Sequence, residues 1–140
     1  MSVISVRFTK PDVAERLRRQ ARADDVSVSA LAERLIDEGL RQARHPRVVF
    51  RDGPTGRRAA LTAGPEVVDV ITYLVEGDVP LDERRSRAAA NLCISAADVD
   101  AALAYYADFT AEIDAASAQR QELADTEERA FRRQLELLAR

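Results

Sequence analysis

The sequence predicts a mainly α-helical chain in three successive parts: a short strand followed by two helices, a helical middle segment carrying one β-hairpin, and a C-terminal helix. Three observations carry this. Apolar and polar residues alternate strictly over residues 4–8, the period of a strand with one buried face. Over most of the rest, apolar residues recur at intervals of three and four, the helical period. From Ser95 onward there is neither Gly nor Pro, so nothing in the chain itself stops a long helix or two in sequence.

Ile4, Val6 and Phe8 alternate with Ser5 and Arg7. A lone strand leaves its backbone donors and acceptors unpaired, so this one needs a partner. The nearest is the same strand of a second chain; pairing with Arg47–Phe50 of its own chain is the alternative. Thr9, with Pro11 and Asp12 behind it, reads as the cap of a first helix, in which Val13, Leu17 and Ala21 share a face. Asp24 and Asp25 interrupt that pattern. Ser27 then caps a second helix with a wide stripe of Val28, Leu31, Ala32, Leu35, Ile36 and Leu40, too broad for an isolated helical hairpin to cover. Burial against the equivalent helix of a second chain is the simplest solution.

Strand, helix and helix in about 40 residues, with the stretches Ile4–Leu17 and Val26–Ser29, resemble the ribbon-helix-helix family of repressors, of the CopG and Arc kind. That resemblance implies a dimer whose intermolecular two-stranded ribbon enters the major groove. By position, Val3, Ser5 and Arg7 are then the base-contacting side chains. A guanidinium donates two hydrogen bonds to a guanine edge, worth about 1–3 kcal/mol of discrimination. Ser27, Val28 and Ser29, at the start of the second helix, are the residues the resemblance assigns to a phosphate, in keeping with free amides at the positive end of a helix. Asp25 stands where the family commonly has Gly, a position suited to a residue that tolerates left-handed backbone.

Arg47–Phe50 and Arg57–Thr62 flank a turn-rich spacer, Asp52-Gly-Pro-Thr-Gly56, and read as a β-hairpin. Its glycines are no phosphate loop, because the lysine and the following hydroxyl residue are missing. Gly64-Pro65 opens a helix with Val67, Val68, Ile71, Leu74 and Val75, closed by Gly77; Asp82 starts another, to about Asn91. Ser95 with Asp98 is a capping-box start for a third. The stretch from His45 to Asp114 resembles the small bacterial domain of unknown function numbered 433, which is winged-helix-like and occurs in antitoxins; the residues are His45-Pro-Arg, Gly56-Arg-Arg-Ala-Ala-Leu, Pro80-Leu-Asp-Glu and Ser95–Tyr106. The helix that would read DNA carries Asp98, Asp100 and two tyrosines but no Arg, Lys, Asn or Gln between Ala96 and Ala107. Carboxylates repel a phosphate backbone, so this domain is expected to serve packing or protein contact. Arg84, Arg85 and Arg87 remain as phosphate candidates beside the alternative of a solvated face. Cys93 and Tyr106 are expected in the core, and His45 as a linker residue.

The apolar pattern resumes sparsely at Leu123, Ala130, Phe131, Leu135 and Leu138, among several arginines. Such a helix holds itself down poorly but suits another protein's groove. In VapB-type antitoxins a DNA-binding head is followed by a tail that wraps a PIN-type nuclease. Phe131, Leu135 and Leu138 are the apolar toxin-contact candidates, and by that resemblance Arg129, Arg132 and Arg133 are candidates for a toxin's acidic site, with an extra helix of the homodimer as the alternative.

Charge is divided unevenly along the chain, with its first boundary after the hairpin rather than at residue 44. Residues 1–62 carry 13 Arg or Lys against 8 Asp or Glu, residues 63–115 carry 3 against 11, and the last 25 carry 5 against 5. One end is thus suited to an anion. No apolar run approaches the roughly 20 residues of a membrane span, and no secretion signal is visible; a cytoplasmic protein is expected. One Cys and one His supply neither a disulfide within the chain nor a zinc site. No nucleophile–base pair is motif-linked, so neither enzymatic activity nor a cofactor is expected.

The expectation is therefore an antitoxin in three segments: a ribbon-helix-helix module at 1–44, a winged-helix-like domain with a hairpin at 45–115, and a C-terminal helix at 116–140. It would pair with itself through strand 3–8 and helix 28–43, repress its own operator DNA, and neutralise a cognate toxin through its C-terminal half. The alternatives are a stand-alone transcriptional regulator and a dimeric scaffold that does not bind DNA.

Overall fold

The computed structural model describes residues 1–139, and the described chain is mainly helical with one two-stranded antiparallel hairpin. It divides into two compact units, Met1–Arg44 and the remainder from His45.

The first unit is a helical hairpin of α1 (Pro11–Ala23) and α2 (Val28–Arg44). Thr9 does not cap α1. The cap position falls on Lys10, with no side-chain cap bond, because Pro11 with its fixed φ starts the helix one residue later than a Thr9 cap would need. The turn between the helices explains Asp25. Its φ is 53°, the amide of Val26 donates to the Ala21 carbonyl at 3.0 Å, and its own amide donates to Arg22 at 3.2 Å. This is the paired closure of a Schellman motif, with Asp in the left-handed position that Gly usually fills. Ser27 caps α2 by accepting from the Ala30 amide at 3.0 Å. Of the apolar stripes only Ala21 and Leu31 are buried; Val28, Leu35, Ile36 and Leu40 are exposed.

Residues 1–8 form no regular element, and Ile4, Val6 and Phe8 are exposed. The strand expected there is thus absent from the single chain, and the sheet consists of β1 (Val48–Gly53) and β2 (Gly56–Leu61) alone. Regular elements begin with α1. The physical reason is the one that made the strand conditional: a strand exists only with a ladder partner.

In the second unit β1 and β2 pair from Val48–Leu61 to Gly53–Gly56. Gly56 takes the positive φ that the tight return requires. Four helices follow: α3 (Val67–Val75), α4 (Leu81–Leu92), α5 (Ala96–Asp108) and α6 (Thr110–Leu138). Val48, Leu61, Val67, Val70, Val99 and Tyr105 form the centre of one core, closed on the α6 side by Ile113 and Ala116. Tyr105, not Tyr106, is the fully buried tyrosine. Cys93 is exposed rather than core: at φ 54° it ends α4 with the same pair of bonds as the α1–α2 turn, Ile94 to Ala89 and Cys93 to Ala90.

Residues from Ser95 onward make two helices. The break is at Phe109 (φ −128°, ψ 44°), which lies 4.7 Å from the Tyr105 ring. Packing makes this elbow, since no helix breaker is present. Beyond it α6 runs 29 residues, about 43 Å at 1.5 Å per residue. The boundary expected between 115 and 116 falls inside it. Every described residue from Gln121 on is exposed.

Candidate nucleic-acid interface and partner surfaces

Val3, Ser5 and Arg7 are all exposed in the extended N-terminal segment. In the first unit several cations are tied down: Arg16 to Asp12, Arg18 to Glu15, Arg34 to Asp24 and Arg41 to Asp37. Among the described residues the side chains of Arg7, Lys10, Arg19 and Arg22 have neither ion pair nor hydrogen bond. At the start of α2 the Ser27 hydroxyl is occupied by the Ala30 amide, so the Val28 and Ser29 amides are the first-turn donors without a cap. Asp24 is matched by Arg34 (3.3 Å) and Gln20 (2.8 Å), while Asp25 keeps an unmatched carboxylate two residues before the cap.

In the second unit the polar side chains turn to one another. Asp98 is buried; it accepts from the Ser95 hydroxyl (2.7 Å) and amide (3.0 Å) and from Arg47 (2.8 Å). These bonds, with Ser95 foremost, hold its carboxyl below the ordinary aspartate range against the opposing effect of burial. Asp100 binds Arg85, and Arg87 binds Glu83. Arg84 donates to the carbonyls of Val79 (2.6 Å) and Leu74 (2.9 Å). All three α4 arginines therefore have partners within the unit. On the hairpin Arg51 and Arg58 stand directly opposite one another and meet neutral groups, Gly64 O for one and Thr55 and Gln119 for the other.

The elbow is clamped from three sides. Tyr105 donates to Glu112 and Tyr106 to Asp114, each at 2.7 Å, and His45 Nε2 lies 2.8 Å from Asp108. The hydrogen bond to Asp114 raises the Tyr106 phenol above its usual range, because the neighbouring carboxylate disfavours phenolate. His45 is buried, edge-on to Tyr105 and Phe109; it is a packed residue of the second unit rather than a linker. Arg120 bridges Glu66 and Asp69 at the start of α3 and fastens the first third of α6. Sequence reading passed over Arg120 and Asp108. The signal for Arg120 is its spacing, four and seven residues after Ala116 and Ile113, which keeps it on the packed face.

Further along α6, Arg129 donates to Asp125 O and Thr126, Arg132 pairs with Glu128, and Arg133 has no partner among the described residues. Phe131, Leu135, Leu137 and Leu138 are exposed. Beside the packed start of α6 lies a shallow groove of about 120 Å³, lined by the buried Val68, Ile71 and Ile113 and by the exposed Val75, with Glu76 and Asp114 among its polar lining residues. Among the described residues there is no group of three His, Cys, Asp or Glu placed to hold a metal, and no helix long and apolar enough to cross a membrane. No family model, no curated protein and no solved structure matches the chain.

Proposed function

We propose that the protein is an antitoxin: a homodimeric DNA-binding autorepressor that neutralises a cognate toxin, of the PIN nuclease type by resemblance, through its C-terminal half. The observation that carries the reading is the first unit. A 44-residue helical hairpin that buries only Ala21 and Leu31, with Ile4, Val6, Phe8, Leu35, Ile36 and Leu40 exposed, is apolar far beyond its own capacity for burial. A second copy resolves this at once. Pairing residues 3–8 supplies the ladder of a ribbon-helix-helix dimer, and pairing helix 28–43 covers the stripe.

In that dimer Val3, Ser5 and Arg7 line the outward face of the ribbon, and Ser27, Val28 and Ser29 meet a phosphate. The free cations Arg7, Lys10, Arg19 and Arg22 support this end as the one that meets DNA. The second unit is read as a winged-helix-like domain retained for protein contact, supported by the internal pairing of Asp98, Asp100 and the α4 arginines. Toxin contact falls to Arg129, Phe131, Arg132, Arg133, Leu135 and Leu138, which no other part of the unit covers.

The test is binding of the purified chain to DNA from upstream of its own gene, followed by fluorescence anisotropy at two salt concentrations. Salt-sensitive binding is expected, with Arg7→Ala weakening the specific site about 5- to 150-fold, the equivalent of about 1–3 kcal/mol, while the dimer persists. Absence of salt-sensitive binding by the wild type would overturn the DNA reading. Failure of any neighbouring gene product to form a stable complex on co-expression would overturn the toxin reading.

A further inference from the structure

We propose that in the free protein the exposed stripe of α6 is covered by α6 of a second copy running antiparallel, each Phe131 seated in the groove beside the other copy's Asp114 and Ser117. This goes beyond the antitoxin reading, because it gives the stripe an occupant before any toxin is met.

The argument starts from the two unlike halves of one helix face. Ser117, Gln121, Ala124, Glu128, Phe131, Leu135 and Leu138 follow each other at alternating steps of four and three and so share a face. The first three are small or polar; the last three are large and apolar. A parallel pair would set Phe131 against Phe131 and leave the groove open. An antiparallel pair sets large against small, and a single two-fold operation fills both grooves. The groove lies on the proximal half of this same face, with Ser117, Asp114 and the exposed Val75 in its lining and the buried Val68, Ile71 and Ile113 beneath.

Charge agrees with shape. The rim of the groove is acidic, at Glu76 and Asp114, and the residue next to Phe131 is Arg132, which in the single chain pairs with Glu128 on its own helix. Seating Phe131 level with Asp114 brings Arg132 to that rim. The same register sets Ser117 opposite Glu128 and Gln121 opposite Ala124, so each layer where the two helices cross sets one small side chain against one longer polar one.

The register is testable by disulfide trapping in the full chain with Cys93→Ser. Positions 117 and 128 are 11 residues apart on one helix, about 16 Å, far beyond the roughly 7 Å that a disulfide spans between Cα atoms, so a bond between them must join two chains. The double variant Ser117→Cys/Glu128→Cys is expected to oxidise to a covalent dimer at least tenfold faster than either single variant. Adding Phe131→Asp, at an exposed position, should abolish that advantage while leaving helix content by circular dichroism unchanged. Rapid linkage of Ser117→Cys alone would point to a parallel pair and sink the proposal. So would linkage that survives Phe131→Asp, no linkage at all, or amides of residues 121–138 that gain no exchange protection as the concentration of the protein itself is raised. Operator binding and toxin protection are separate readouts, so failure of the antitoxin reading would leave the trapping result standing.

Discussion

Replacing Ile36 and Leu40 together by Asp separates a helical hairpin that stands alone from one that requires a second copy. Both side chains lie on α2, and the two residues are 57% and 68% exposed in the single chain. If nothing covers them, the change is a surface substitution, within about 0.5 kcal/mol of neutral. If a second copy covers them, the area still open is what pairing removes from water. Full burial of an Ile or Leu is worth about 1.5–3 kcal/mol. Scaled by their exposure, the two residues contribute about 2–4 kcal/mol per chain and about 4–8 kcal/mol per dimer, before the repulsion of four buried carboxylates is added. At 1.4 kcal/mol per tenfold, association through this unit should weaken by about three orders of magnitude or more. Because α6 offers a separate contact between copies, the mass of the whole chain is not the deciding measurement. Urea unfolding at several protein concentrations and amide exchange along α2 are. Unfolding of the first unit should move to higher urea with concentration in the wild type, with α2 protected; in the double variant the first unit should show neither. Equal unfolding midpoints and equal α2 exchange in the two proteins would refute the reasoning.

Asp25→Gly relieves a left-handed aspartate at the α1–α2 turn and should stabilise the first unit by up to about 1 kcal/mol in urea unfolding. If that turn also meets a phosphate, the loss of an unmatched carboxylate should tighten salt-sensitive DNA binding. Asp98, with its folded carboxyl below the ordinary range, contributes stability that is present above the unfolded value near 3.9 and lost as pH falls through the lower folded value. Asp98→Asn should therefore lower the melting temperature at pH 7 and narrow its gap to wild type in acid; a gap independent of pH would count against this account. Tyr105→Phe removes a buried hydroxyl from Glu112 and should cost about 1–2 kcal/mol in the melting of the second unit. Deleting residues 121–140 removes no buried side chain among the described residues, so melting of the dilute second unit should change by less than about 1 kcal/mol while toxin protection is lost.

Local signals in the sequence carried most of the second unit. The Ser95–Asp98 capping box, the hairpin around Asp52–Gly56 and the helix after Gly64-Pro65 each depend on residues within a few positions of one another, and each formed. What needed the whole unit was not legible. The break at Phe109 involves no Gly or Pro and arises where the ring packs on Tyr105, beside a His45 that pairs with Asp108 sixty-three positions away. Tyr105 and Tyr106 sit 100° apart on α5, and periodicity alone favoured the wrong one for the core. Cys93 was misplaced for a similar reason: a residue type usually buried stands at a left-handed helix end that faces solvent. The strand expected at the N-terminus belongs to another class: alternation of Ile4, Val6 and Phe8 is a local signal, but a strand forms only with a ladder partner, and residues 1–8 have none in the single chain.

The use of arginine distinguishes the two units more sharply than net charge does. In the second unit every described arginine except Arg133 is held by a carboxylate, a carbonyl or a neutral side chain, whatever its exposure. An arginine already bonded must surrender those partners before it grips a phosphate, which offsets part of what the new contact supplies. In the first unit Arg7, Lys10, Arg19 and Arg22 surrender nothing. The acidic middle segment therefore need not repel DNA to be unsuited to it, since its cations are already committed. This places the salt-dependent part of any DNA contact on the first unit: alanine at Arg7 or Arg22 should lower the slope of log affinity against log salt by about one each, whereas alanine at Arg85 should leave that slope unchanged.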